Sequence, residues 1–194
     1  MELGRGGNPV TEKRKSADAG NPSNAHKMLE ELSRPGSIYG KEEGEGRLVT
    51  KENVRGVITM NEDYETKFFV NTAEEWESLG VEQLRLSTVD ILGVPKLEDL
   101  KKGVDFVTKY RKKGSCVYVH CKAGRSRSAT MVAAYLIHLH HWSPKKACDY
   151  IASIRSHIVV RSGQFKILKN YYCELFSEEP DVLCETKSAA AFKS

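Results

Sequence analysis

The chain has 194 residues and carries 30 Lys and Arg against 26 Asp and Glu, a net charge of +4. That length suits one domain with a substantial core, and the charge is too mild to point to nucleic acid. The longest apolar run, 129–139, is shorter than a membrane span and ends among histidines, so it reads as a buried helix.

Five cysteines, odd in number and widely spaced with no secretory signal ahead of them, predict free thiols in a reducing compartment. Residues 1–47 hold 8 of the 15 glycines and 3 of the 6 prolines, with 8 basic and 8 acidic residues. The expectation is a low-order segment with one helical turn near 28–32. It does not fit a transit peptide. Glu2, Glu12 and Asp18 are acidic, and Gly6, Gly7, Pro9, Gly20 and Pro22 break any helix. A folded domain is expected over 48–176 and a flexible polar tail over 177–194.

From Val54 the pattern changes. Residues 54–60 (VRGVITM) have strand length and composition. Thr72 followed three residues later by Glu75 is a capping box, which opens a short helix that Gly80 closes. Residues 82–89 (EQLRLSTV) read as the next strand. Leu97, Leu100, Val104 and Val107 recur at helical spacing, predicting an amphipathic helix over 96–112. A strand is expected over 116–120 and a helix, apolar nearly all round, over 128–140. Ser143 and Pro144 supply an N-cap and a first-turn proline for a helix over 145–156. A last helix should run over 163–176. Strands alternating with helices predict an α/β fold, with a central, mostly parallel sheet flanked by helices.

The chemistry concentrates where strand 116–120 meets the long helix: His120, Cys121, Lys122, Ala123, Gly124, Arg125, Ser126, Arg127 and Ser128. A loop between a strand and a helix N-terminus converges backbone N–H groups on an anion and adds positive potential. The same environment favours a reactive thiolate at Cys121. Residues 122–127 would cradle a phosphoryl group, with Gly124 small where the backbone turns closely around it. Arg127 can hold two phosphoryl oxygens at once, which lysine cannot. Ser128 is placed to hydrogen-bond the thiolate, and His120 to fix the loop from behind.

A phosphatase built on Cys121 also needs a proton donor for the leaving oxygen, later a base for water. Asp90 meets that need, because it ends strand 82–89 and opens a Gly- and Pro-containing segment. Glu98 and Asp99 fit helix capping better, and Glu62 and Asp63 are candidates for the rim. Gln164 has two readings, a group that orients water or a first-turn helix residue with no catalytic part. No cofactor is expected. His138, His140 and His141 lack the spacing and partners of a metal site, and no Gly-Lys-Ser/Thr phosphate loop occurs.

The stretch from His120 to Ser128, together with the upstream acid, resembles the cysteine-based protein-tyrosine and dual-specificity phosphatases. Asn53 and the residues after it, the run from Gly80 to Asp90, and 116–136 resemble most closely a mitochondrial branch that hydrolyses phosphatidylglycerophosphate. The resemblance covers 48–172. It implies the cysteine-based phosphatase fold, a phosphocysteine on Cys121, Asp90 as general acid and Arg127 as phosphate clamp. It also implies a phospholipid substrate on the route to cardiolipin, at the matrix face of the mitochondrial inner membrane. Residues 1–47 do not resemble that branch, which makes a cytosolic location the alternative and suggests a replaced start. The sheet edge at 54–60 would then lack its usual cover. Ser162 stands where the family has Pro.

The expected partner is therefore an anionic phospholipid at a membrane surface, or a phosphoprotein. Lys122 and Arg125 add cations beside Arg127, which suits a second anionic group. Lys101, Lys102, Lys109, Arg111, Lys112 and Lys113 would add surface attraction. The other readings are a protein dual-specificity phosphatase and an inactive or partly folded phosphate-binding variant. A sulfurtransferase or arsenate reductase fits Asp90 and Ser128 less well.

Overall fold

The computed structural model describes residues 41–69, 71–90 and 93–176. In chain order these form α1 (Lys41–Thr50), β1 (Val54–Thr59), α2 (Asp63–Phe69), α3 (Ala73–Ser78), β2 (Glu82–Arg85), α4 (Leu97–Lys112), β3 (Cys116–His120), α5 (Arg127–His140), α6 (Pro144–Ile154) and α7 (Ser162–Phe176). The expected turn at 28–32 and the tail 177–194 lie outside the described residues.

Among the described residues the sheet has three strands in the order β2-β1-β3, all parallel. Strand β1 is therefore central, and 54–60 is not the exposed edge that the sequence suggested. Its near-continuous burial is that of a strand covered on both faces. In β3 the pleat alternates: Val117 and Val119 join the main core, while Cys116 and Tyr118 face a smaller cluster of Val54, Val57, Trp76 and Val81. An irregularity between Val54 and Gly56 lets Val54 and Val57 share that side.

The main core lies between the sheet and α4–α7. Helix α5 runs through its middle and packs on α4, α6 and α7, so it is buried from Arg127 to Ile137. A helix apolar on every side needs such a seat. Helix α1 begins at Lys41, inside the segment expected to be of low order. Its two glycines disfavour a helix, but Leu48 and Val49 pack against the smaller cluster, and tertiary contact overrides propensity.

The capping box forms as the sequence predicts. Thr72 accepts from the Glu75 N–H, and the Glu75 carboxylate accepts from the Thr72 N–H. Ser143 likewise accepts from the Lys146 N–H ahead of Pro144. Strand β2 is shorter than expected. Its ladder ends at Arg85, although Leu86 still donates to the Thr59 carbonyl. Beyond that point the chain turns away so that the Thr88 carbonyl can accept from Arg127. Helix α2 has no apolar periodicity and was not foreseen. Cys121 and Cys148 carry free thiols, whereas Cys173 is disulfide-bonded, against the expectation for it.

Candidate active site

In a parallel sheet the C-terminal strand ends converge on one edge, and here each strand delivers part of one site there. Strand β3 ends at His120 and passes directly into the loop 121–126, which closes on the N-terminus of α5. Gly124 sits at φ +59, a conformation that costs a side chain strain. A Cβ there would also lie 2.8 Å from Nη2 of Arg155. The sequence reading attributed Gly124 to close approach by the ligand; Arg155, buried behind the loop, is a second constraint.

Cys121 is buried, and its Sγ lies 3.3 Å from the Ser128 hydroxyl on the first turn of α5. The two meet because residue 121 ends the strand side of the loop and residue 128 points back into it. His120 Nε2 lies 2.9 Å from the Thr59 hydroxyl, which also accepts from the Gln83 amide. Burial, and then the charge of Arg127, pull the His120 pKa down to about 4. The ring is thus neutral at pH 7 and locks β3 to β1 just before the loop starts.

The guanidinium of Arg127 is 2 % exposed and holds five contacts. Nη1 donates to Glu65 Oε2 at 2.7 Å, to the Thr88 carbonyl at 3.0 Å and to the Met60 carbonyl at 3.4 Å. Nη2 donates to Glu65 Oε1 at 3.3 Å and pairs with Asp90 Oδ1 at 2.8 Å. Burial pushes the Glu65 pKa up, but the bonds from Arg127 and from the Glu62 N–H outweigh it and hold the carboxyl below its ordinary value. Glu65 was not singled out in the sequence. It lies in an unremarkable acidic stretch, and only the fold brings it beneath Arg127.

Asp90 reaches the site as expected, on the segment that follows β2. Its backbone N–H donates to the Glu62 carboxylate at 3.2 Å. Glu62 thus ties the acid-bearing segment to the end of β1, while Asp63 turns outward to Arg85. Asp99 pairs with Lys102 within α4, away from the loop.

Gln164 is buried, and both ends of its amide are hydrogen-bonded. Oε1 accepts from the Ser126 hydroxyl at 2.7 Å and from the Arg161 N–H at 3.0 Å, while Nε2 donates to the Gly93 carbonyl at 3.0 Å. It joins the phosphate-type loop to the segment beyond Asp90, an arrangement neither sequence reading described. Lys122, Ala123 and Arg125 are exposed at the mouth, and Arg125 Nε donates to the His157 carbonyl. Arg155 is also new to the site. It is 5 % exposed, its Nε donates to His157 Nε2 at 2.8 Å, and its guanidinium lies against Gly124.

The histidines at the far end of α5 do other work: His140 stacks on Trp142 and His141 contacts Phe176. Among the described residues no helix is long and apolar enough to cross a membrane, and no cluster of His, Cys, Asp or Glu has the arrangement of a metal site.

Residues 48–174 match the dual specificity phosphatase catalytic domain family. The chain is 65% identical over 129 residues to the phosphatidylglycerophosphatase and protein-tyrosine phosphatase 1 of Rattus norvegicus, covering 66% of this chain and 67% of that one. It is 36% identical over 119 residues to phosphatidylglycerophosphate phosphatase PTPMT1 of Arabidopsis thaliana, covering 61% and 34%. Among solved structures it resembles PTPMT1 in complex with PI(5)P, with a TM-score of 0.67 and 62% identity over 69% of this chain and 86% of that one.

Proposed function

Because the chain belongs to the dual specificity phosphatase family and is a cysteine-dependent phosphatase, we propose that it cleaves phosphate monoesters through a phosphocysteine on Cys121. The observation that carries this reading is the convergence of a buried thiol and a guanidinium from the loop after β3 with a carboxyl from the segment after β2 on one sheet edge.

In this mechanism an incoming phosphoryl group is held by the backbone N–H groups of 122–127 and by Arg127. It takes Nη2 from Asp90, while Glu65 keeps Nη1 and so preserves the orientation of the guanidinium. Sγ of Cys121 attacks phosphorus in line, the bond to the leaving oxygen breaks, and protonated Asp90 supplies that oxygen with a proton. Asp90, now a carboxylate, removes a proton from the water that attacks phosphocysteine. Phosphate leaves, and Ser128 hydrogen-bonds the departing thiolate. Gln164 acts as a positioning residue that keeps the two loops in register.

The substrate we assign is phosphatidylglycerophosphate, converted to phosphatidylglycerol at a membrane surface. Support comes from the names of the rat and Arabidopsis relatives and from the phosphoinositide on the related structure. Exposed Lys122 and Arg125 suit a headgroup with a second anion. The location we assign, the matrix face of the mitochondrial inner membrane, rests on the family resemblance of the sequence runs 53–62, 80–90 and 116–136. The rat relative's name also includes protein-tyrosine phosphatase activity, so phosphopeptides are the comparison. Phosphate release by the purified chain should be faster from phosphatidylglycerophosphate in micelles than from phosphotyrosyl peptides. A preference for peptides would overturn the lipid reading and leave the cysteine mechanism standing.

A further inference from the structure

Among the described residues seven large apolar side chains are exposed: Tyr64, Leu79, Val89, Val94, Val159, Leu175 and Phe176. Apolar side chains exposed singly need no explanation. Four of these, however, sit around the mouth of the Cys121 site, on three separate segments. Tyr64 lies beside the Glu62 and Asp90 carboxylates and precedes Glu65. Val89 precedes Asp90. Val94 follows Gly93, the acceptor of Gln164, and its Cγ2 packs over Gly163. Val159 donates its backbone N–H to the Arg125 carbonyl, on the loop itself.

Their exposures of 58, 59, 42 and 39 % place them outside any core. Lys122 and Arg125 are exposed on the same mouth. The acids there are engaged: Asp63 with Arg85, Asp90 with Arg127, and Glu62 with the Asp90 N–H. The basic residues of α4, by contrast, are largely spent in pairs, Lys101 with Glu174, Lys109 with Glu82 and Lys102 with Asp99.

We propose that this rim is a membrane-docking surface: Tyr64, Val89, Val94 and Val159 enter the headgroup–acyl boundary of an anionic bilayer while Lys122 and Arg125 engage its phosphates. The proposal rests on the lipid reading above and goes beyond it. Apolar side chains in interfacial contact combine with basic groups to hold a protein on anionic lipid. A phosphopeptide would need a groove on one side of the mouth, whereas these side chains come from several sides. Docking by the rim points Cys121 at the headgroups, so the substrate need not leave the bilayer.

The test uses the full chain, the double variant Val94→Ser/Val159→Ser and the single variant Val159→Asp, with p-nitrophenyl phosphate turnover as the check on folding. Cosedimentation is measured with phosphatidylcholine vesicles containing phosphatidylglycerol, and with phosphatidylcholine alone. The double variant should keep turnover of the soluble ester and lose vesicle affinity by about tenfold or more, the equivalent of one buried valine. Wild-type affinity in both folded variants would overturn the proposal, as would no preference of the native chain for anionic vesicles. Vesicle affinity that is unchanged while phosphopeptide hydrolysis falls would overturn it in favour of a protein partner. Phosphatidylglycerophosphate in detergent micelles separates the two levels. Failure to hydrolyse it there refutes the substrate, whereas hydrolysis in micelles without vesicle binding refutes only the docking.

Discussion

Glu65 grips Arg127 from beneath in a two-point ion pair, Oε2 to Nη1 at 2.7 Å and Oε1 to Nη2 at 3.3 Å, with both side chains almost wholly buried. The pair fixes the plane of the guanidinium before any phosphate arrives, and such preorganisation is what charge stabilisation in a site requires. Nη2 is shared with Asp90, so the fork has a permanent partner on one side and an exchangeable one on the other.

Removing the permanent partner should therefore cost both stability and activity. Glu65→Ala leaves a buried guanidinium supported only by Asp90 and two carbonyls. Losing one partner of a buried pair costs on the order of 3–5 kcal/mol, and Asp90 should hold the loss toward the lower end. Urea unfolding measures the first effect, and kcat/KM on p-nitrophenyl phosphate the second. An unchanged midpoint together with an unchanged kcat/KM would show that Arg127 is oriented by something else.

Asp90→Asn keeps the shape of the acid and its reach to Arg127 but cannot transfer a proton. The expected fall in kcat is about 10²–10⁴-fold for an ester with a poor leaving group. With p-nitrophenyl phosphate, whose leaving group needs less protonation, the fall should be much smaller. Equal losses on the two esters would remove Asp90 from the proton-donor role.

Gly124→Ala tests the loop itself. The positive φ costs a non-glycine residue roughly 1–2 kcal/mol, and the added methyl meets the Arg155 guanidinium. The variant should bind vanadate weakly and melt at a lower temperature. If vanadate raised its melting temperature as much as it does for wild type, the loop geometry would not be the constraint described.

Acid should destabilise the fold through two groups. His120 stays neutral in the folded state down to about pH 4, whereas the unfolded imidazole takes a proton from about 6.5 downward. The unfolded state then binds more protons, so stability falls as pH drops through that window. Glu65, held below its ordinary value, adds stability that is present at neutral pH and lost at lower pH, as it protonates. Unfolding free energy measured from pH 7 to pH 4 should decline throughout, and His120→Asn should flatten the upper part of the decline. A wild-type curve flat between pH 6.5 and 5 would contradict the buried neutral imidazole.

The parts of this site that the sequence revealed are those close together in the chain. Cys121 and Ser128 sit seven residues apart across a strand–loop–helix junction, and that local pattern alone predicts their meeting. Asp90 was found because it follows a strand whose direction in a parallel sheet is given by alternation with helices, although that strand ends at Arg85 rather than at 89. Glu65 and Arg155 carry no such local mark. Each is an ordinary charged residue until long-range packing buries it, Glu65 at 62 positions from Arg127 and Arg155 against Gly124. Gln164 was half legible, since its place at a helix start could be read but not its reach to Gly93 across 71 positions. Helix α1 shows the same limit, because two contacts made by Leu48 and Val49 outweigh the local cost of its glycines.

The central claim is covalent chemistry at Cys121, and trapping the intermediate tests it most directly. The Asp90→Ala variant, mixed with excess p-nitrophenyl phosphate and quenched in acid, lacks the base that clears phosphocysteine. Mass spectrometry of its peptides should find the phosphoryl group on the fragment carrying Cys121, and on none when Cys121 is also replaced by Ser. A phosphoryl group on another residue, or full turnover by Cys121→Ser, would contradict the mechanism.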